Sequence, residues 1–157
     1  MIKTDAPPEL STLCTGCSAC ANICPRDAIS MNWSPSGFLT PAVNLEACVH
    51  CGLCTKTCPD LNPPARPPQA FDEPRAYAAW ALDEAVRLNS SSGGVFTILA
   101  RHILAQGGVV YGVAWNTDGE LSVRHVRLDS LPELKLLNGS KYLQADPGHA
   151  YRDIKKD

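Results

Sequence analysis

Two short runs of cysteine constrain this chain more than anything else in it. Cys14 to Pro25 reads CTGCSACANICP, and Cys48 to Pro59 reads CVHCGLCTKTCP. Each cysteine of the first run has a counterpart 34 residues later: Cys14 and Cys48, Cys17 and Cys51, Cys20 and Cys54, Cys24 and Cys58. Pro25 maps onto Pro59 by the same step. A repeat this regular implies two similar half-units related by approximate two-fold symmetry. No cysteine follows Cys58 in the 157-residue chain, so the sulfur chemistry is confined to a small leading module.

Charge is close to balance, with 14 Lys and Arg against 16 Asp and Glu. There is no electrostatic case for binding nucleic acid. The sequence shows no apolar leader at its start and no apolar run of transmembrane length. The expected compartment is therefore the cytosol, where thiols stay reduced and clustered cysteines serve as metal ligands more than as disulfides. Zinc would ask for two separated CxxC knuckles around a tetrahedral ion. Here a third cysteine follows each CxxC at the same interval, which a knuckle does not need. The run C-x2-C-x2-C-x3-C-P is instead the spacing that holds paired 4Fe–4S clusters, three thiolates from one loop and a fourth from the other half. A module this small gains little from apolar burial, so such clusters would act as its cross-links.

The residues between the cysteines are small or apolar (Gly16, Ala19, Ile23, Gly52, Leu53). They leave room for a cluster and let backbone N–H groups approach sulfur, which tunes the potential. His50 precedes Cys51 and reads as a solvent-facing loop residue, since a full cysteine set leaves no iron vacant. Ala28 to Val43 alternates around Ser-Pro-Ser-Gly and predicts a hairpin. Six prolines between residues 59 and 74 exclude helix or central strand there. The domains read as residues 1–62, a Pro-rich linker over 63–74, and a second module over 75–157.

In that second module, Ala76–Leu82 is a short buried strand candidate and the DEAVRL run a helical turn. Asn89 to Ser92 offer N-caps to a helix that ends at Gly107-Gly108, with Val95, Ile98, Leu99, His102 and Ile103 at helical spacing. Val109–Trp115 and Leu121–Leu128 read as strands. Another helix begins near Pro132 and a last one at Asp146-Pro147. Trp80 and Trp115 read as core residues, and His102 as a partly buried structural histidine. The fold class is α+β, a ferredoxin-like dicluster module followed by a small α/β domain. Ser90 to Gly94, SSSGG, precedes a helix and offers free N–H groups to an anion; it is equally a capped turn, and it is neither a P-loop nor a G-x-G-x-x-G.

The cysteine runs resemble bacterial dicluster 4Fe–4S ferredoxins. By that resemblance Cys14, Cys17, Cys20 and Cys58 hold one cluster, and Cys48, Cys51, Cys54 and Cys24 the other. With GFLTPAV, SSSGGVFTILARHILAQGGVVYGVAW and LNGSKYLQAD, the chain looks like the N-terminal part of the coenzyme F420 hydrogenase/dehydrogenase beta-subunit family. The resemblance implies two 4Fe–4S clusters, a flavin (FAD), and electron transfer between them and an organic acceptor, with oxidoreductase subunits or a redox protein as partners. It implies that Ser91, Ser92, Gly93 and Gly94 face the flavin, with Ser140, Lys141 and Tyr142 nearby. Members of the family continue into a larger second domain, so this chain reads as truncated. Two functions compete: an electron-transfer subunit of a flavin-linked oxidoreductase, and a dicluster carrier with a docking domain and no chemistry of its own.

Overall fold

The computed structural model describes residues 14–63, 75–119 and 121–157. Apart from Pro63, the expected Pro-rich linker lies outside the described residues. Contacts between Cα atoms divide the chain into two units. One holds the cysteine segment together with Asp146–Lys156, and the other holds residues 69–145 and Asp157. The mixture of helices and two small antiparallel sheets follows the α+β expectation.

In the cysteine unit the sequence repeat becomes a backbone repeat. Helix α1 (Ala19–Ile23) and helix α2 (Leu53–Thr57) begin 34 residues apart. Before each helix come two residues in left-handed conformation, Gly16 (φ 69°) and Ser18 (φ 60°) in the first half, His50 (φ 51°) and Gly52 (φ 71°) in the second. After each comes an extended cysteine, Cys24 (φ −66°, ψ 116°) or Cys58 (φ −67°, ψ 120°). The two left-handed turns curl the loop so that its cysteines face inward. The extended fourth cysteine, followed by proline, leads the chain away from the helix. Each half places a glycine at one of its two left-handed positions and a bulkier residue at the other, where an L-residue costs roughly 1–2 kcal/mol.

Between the halves, strands β1 (Ile29–Trp33) and β2 (Leu39–Val43) form the expected hairpin, closed through Ser34 to Gly37. Its register pairs Ile29 with Val43 and Met31 with Pro41. Period-two alternation puts these four on one face. Asn44 then turns the chain, its side chain accepting from the Glu46 and Ala47 amides, and its carbonyl accepts from Cys48 at the start of the second loop.

The first half differs from the second in what covers its helix end. Helix α5 (Ala150–Ile154) lies with the cysteine unit, although the sequence reading placed it in the second domain. Its Arg152 donates to the carbonyls of Ala21, Asn22 and Cys24 and to the Asp27 carboxylate. The last carbonyls of a helix have no partner within it, and a cation there also meets the negative end of the dipole. The bond to Asp27, with the Arg152 charge behind it, holds the Asp27 carboxyl below the usual carboxylate range. The end of α2 is served locally instead, by Asn62 donating to Thr55 and Cys58. Sequence periodicity sees the helix but not its partner, because the partner is 130 residues away.

The second unit packs helix α4 (Val95–Ala105) on the antiparallel pair β3 (Val110–Asn116) and β4 (Ser122–Leu128). The helix expected near Pro132 is a 3-10 helix, Pro132–Leu137, and it closes the core. That core joins Ala100 and Leu104 to Ala114, Leu128, Leu134 and Leu137. The expected apolar stripe of α4 was Val95, Ile98, Leu99, His102 and Ile103, yet the buried positions are Thr97, Ala100 and Leu104. Ala100 and Leu104 face the core, while Leu99 is 61% exposed and His102 is exposed beside Gln106. Trp80 (58% exposed) and Trp115 (44%) are not core residues either. Ala76–Leu82 forms no strand; its Ala81 amide bonds the Gly93 carbonyl. Helix α3 (Glu84–Leu88) follows, capped by Asp83 through the Ala85 and Val86 amides.

Candidate functional site

The eight cysteines collect into two cavities of the cysteine unit, and in each the fourth cysteine comes from the opposite half. Cys48, Cys51 and Cys54 line one cavity with Cys24. Cys14, Cys17 and Cys20 line the other with Cys58. The extended conformation after each helix is what carries Cys24 and Cys58 across. The hairpin floors both: Ile29 and Val43 wall the first cavity, Met31 and Pro41 the second. These four wall residues were not singled out from sequence, although the alternation that predicted the hairpin also marks its inward face.

The two cavities differ. The first measures about 90 Å³ and includes the exposed Cys51. The second is tighter, about 20 Å³, and contains the buried Cys20. Burial pushes the Cys20 thiol up to about 11, with the neighbouring Cys17 and Cys14 adding to the rise. Metal uptake at that sulfur therefore releases a proton. Two sulfurs accept backbone N–H groups, Cys14 from Gly16 at 3.4 Å and Cys24 from Ala28 at 3.3 Å. Among the described residues no three His, Cys, Asp or Glu side chains converge on a point as ligands of a single ion would. Four thiolates around a volume are the donor set of a 4Fe–4S cluster, and each cavity is lined by four cysteines, with His50 also in the wall of the first and Asp60 in that of the second. His50 is half-buried in the first cavity's wall, where its left-handed backbone matches Gly16 in the other loop.

The second unit brings the serine–glycine loop to the start of α4. Gly94 (φ 78°) is the N-cap, and no side chain caps the helix; Asn89 to Ser92, the expected caps, lie before that turn. Asn89 and Ser90 bond back to the carbonyls of α3. The uncapped N-terminus of α4 opens on a cavity of about 350 Å³ lined by Ser90 to Gly94 and by Asn138 to Ser140. Ser91 and Ser140 share a hydroxyl–hydroxyl hydrogen bond of 2.9 Å, so two loops 49 residues apart meet there. Lys141 and Tyr142 do not line it. Lys141 turns its ammonium to the carbonyls of Leu136 and Asn138, where burial lowers its pKa, and Tyr142 is 92% exposed. Gly93 faces the chain itself: a Cβ there would lie 2.6 Å from the Ala79 carbonyl oxygen and 3.1 Å from the Trp80 Cα.

Two family models match this chain. Residues 13–61 match the 4Fe-4S dicluster domain, and residues 76–149 match the N-terminal region of the coenzyme F420 hydrogenase/dehydrogenase beta subunit. Both resemblances drawn from the sequence are thus found in the chain, each on its own segment. Among curated proteins, the chain is 34% identical over 59 residues to an iron–sulfur component of the CoB–CoM heterodisulfide reductase of Methanocaldococcus jannaschii, covering 29% of this chain and 9% of that protein. It is 38% identical over 58 residues to an uncharacterized polyferredoxin-like protein of the same organism, covering 32% and 34%. It is 40% identical over 43 residues to the ferredoxin-type protein NapF of Haemophilus influenzae, covering 27% and 24%. The chain spans about a third or less of the length of each. With the eight cysteines, these matches make the leading unit an iron–sulfur electron-transfer module. Among the described residues no helix is long and apolar enough to cross a membrane.

Proposed function

We propose that this chain is the iron–sulfur part of a cytoplasmic flavin-linked oxidoreductase, passing electrons between two 4Fe–4S clusters and an FAD that serves an organic acceptor. The observation that carries the cluster half is the crossover of Cys24 and Cys58 into each other's cavities. In this reading Cys14, Cys17, Cys20 and Cys58 hold one cluster, and Cys24, Cys48, Cys51 and Cys54 the other. The clusters supply one-electron storage. The chain supplies thiolates, amide N–H donors to sulfur, and an apolar hairpin floor that limits water. Support for the flavin half comes from the uncapped α4 N-terminus with Ser91, Ser92 and Ser140 around it, a fit for a phosphate, and from the match to the F420 hydrogenase/dehydrogenase beta subunit. Gly93 and Gly94 belong to this reading as backbone that shapes the loop; Lys141 holds the facing loop, and Tyr142 has no role in it.

Anaerobic purification with iron, sulfide and flavin quantification tests both halves. About eight irons and eight sulfides per chain are expected, with FAD bound on reconstitution and lost in a Ser91→Asp, Ser140→Asp pair that places negative charge at the phosphate position. Zinc without sulfide would refute the cluster half. Full iron and sulfide with no flavin affinity would leave a dicluster carrier.

A further inference from the structure

The side chain of Ser18 is 1% exposed, yet its hydroxyl has no hydrogen-bond partner. A buried hydroxyl without a partner costs on the order of 1–3 kcal/mol, so what it faces matters. Ser18 lines the cavity of Cys14, Cys17, Cys20 and Cys58, whose remaining wall is mostly apolar or sulfur. Its backbone is held firmly: the Ser18 carbonyl accepts from both the main-chain and side-chain nitrogens of Asn22, and that side chain also donates to Gly148. Moreover, Ser18 sits in left-handed conformation (φ 60°). The equivalent position in the other half is Gly52 (φ 71°). The first loop thus tolerates an unfavourable backbone for the sake of a side chain that finds no partner in the protein.

We propose that the Ser18 hydroxyl donates a hydrogen bond to a sulfur of the cluster held by Cys14, Cys17, Cys20 and Cys58, and so sets that cluster's reduction potential above the potential it would otherwise have. This inference rests on the cluster reading given above. A donor at sulfur favours the reduced, more negative cluster. Because Gly52 offers no hydroxyl, the repeat that makes the two sites alike in ligands leaves the second without this bond; there the Thr55 hydroxyl lies 3.9 Å from the Cys54 sulfur instead. Ser18 is a tuning residue and not a ligand.

The test is an EPR-monitored redox titration of the full chain with both clusters loaded. In Ser18→Gly the backbone prefers the left-handed conformation, so folding is spared, and Ser18→Ala keeps the Cβ. Both are expected to lower the midpoint of one cluster and leave the other in place. A tenfold change in that cluster's reduction equilibrium, ~59 mV for one electron, is the expected scale. The reciprocal Gly52→Ser, where an added Cβ meets nothing within 4 Å, is expected to raise the midpoint of the second cluster. Resonance Raman of the parent should show an iron–sulfur stretch sensitive to exchange into deuterium oxide that Ser18→Gly loses. Unmoved midpoints in Ser18→Gly with both clusters intact would overturn the proposal, because the hydroxyl would then be committed elsewhere, such as to the equally unpartnered Asn22 Oδ1. Absence of iron and sulfide from the parent would instead refute the cluster reading beneath it.

Discussion

Arg152 gives the sharpest test of how the cysteine unit is held together. Its guanidinium donates to three carbonyls at the end of α1 and is 27% exposed. A hydrogen bond to a charged group contributes roughly 1.5–3 kcal/mol. Three such bonds are not additive, and water can reach the carbonyls once the side chain is gone. The expected loss in Arg152→Ala is therefore about 3 kcal/mol for local opening of α1, on the order of 100-fold in the opening equilibrium. The repeat supplies an internal control. The Asn22 amide bonds the Ser18 carbonyl at 3.0 Å, and its counterpart, the Lys56 amide, bonds Gly52 at 3.0 Å. Native-state hydrogen exchange on cluster-loaded protein should show the Asn22 amide exchanging about 100-fold faster in Arg152→Ala, with Lys56 changed less than about threefold. Arg152→Lys keeps the charge but not the planar fork, so it should fall between the two. Equal acceleration at both amides would mean that Arg152 supports the unit globally. No acceleration at Asn22 would mean that its three bonds contribute nothing to the helix end.

Three further outcomes follow from the same geometry. Cys24→Ser should damage the cluster of Cys48, Cys51 and Cys54 and spare the sequence-adjacent one, read by cluster-resolved EPR; damage confined to the Cys14–Cys17–Cys20 cluster would reverse the pairing. His50→Gly should stabilise the unit by about 0.5–1 kcal/mol, the relief of left-handed strain less the added freedom of the unfolded glycine, with iron content unchanged; loss of iron would make His50 a ligand. Gly93→Ala should cost about 1–3 kcal/mol of stability in thermal unfolding whether or not flavin is present, because its Cβ would press on the Ala79 carbonyl; a variant as stable as the parent that loses only flavin affinity would place the flavin directly against Gly93.

The chemistry of the leading unit was legible in the sequence because ligand spacing is a local property. Cysteine intervals, the 34-residue step and the proline after each run specify loop size and direction over a dozen residues, and the structure repeats them in its backbone angles. The hairpin between the halves was legible for the same reason, since its turn and alternation are contiguous. What needed tertiary structure involved partners distant along the chain. The assignment of α5 to the cysteine unit depends on Arg152 meeting carbonyls at residues 21 to 24, and no periodicity reports that. The face that α4 buries differs from the expected stripe because apolar size predicts burial only when something covers it; in the second unit the core takes Ala100 and Leu104, and Ile98, Leu99 and Ile103 are left exposed. The resemblance implied a flavin-facing Gly93; the glycine lines the loop's cavity, and only the fold shows that the direction of its missing Cβ is taken by the Ala79 carbonyl. Ser18 lay unnoticed between two cysteines, since only a fold can show that a hydroxyl is buried, has no partner and stands where the repeat elsewhere keeps a glycine.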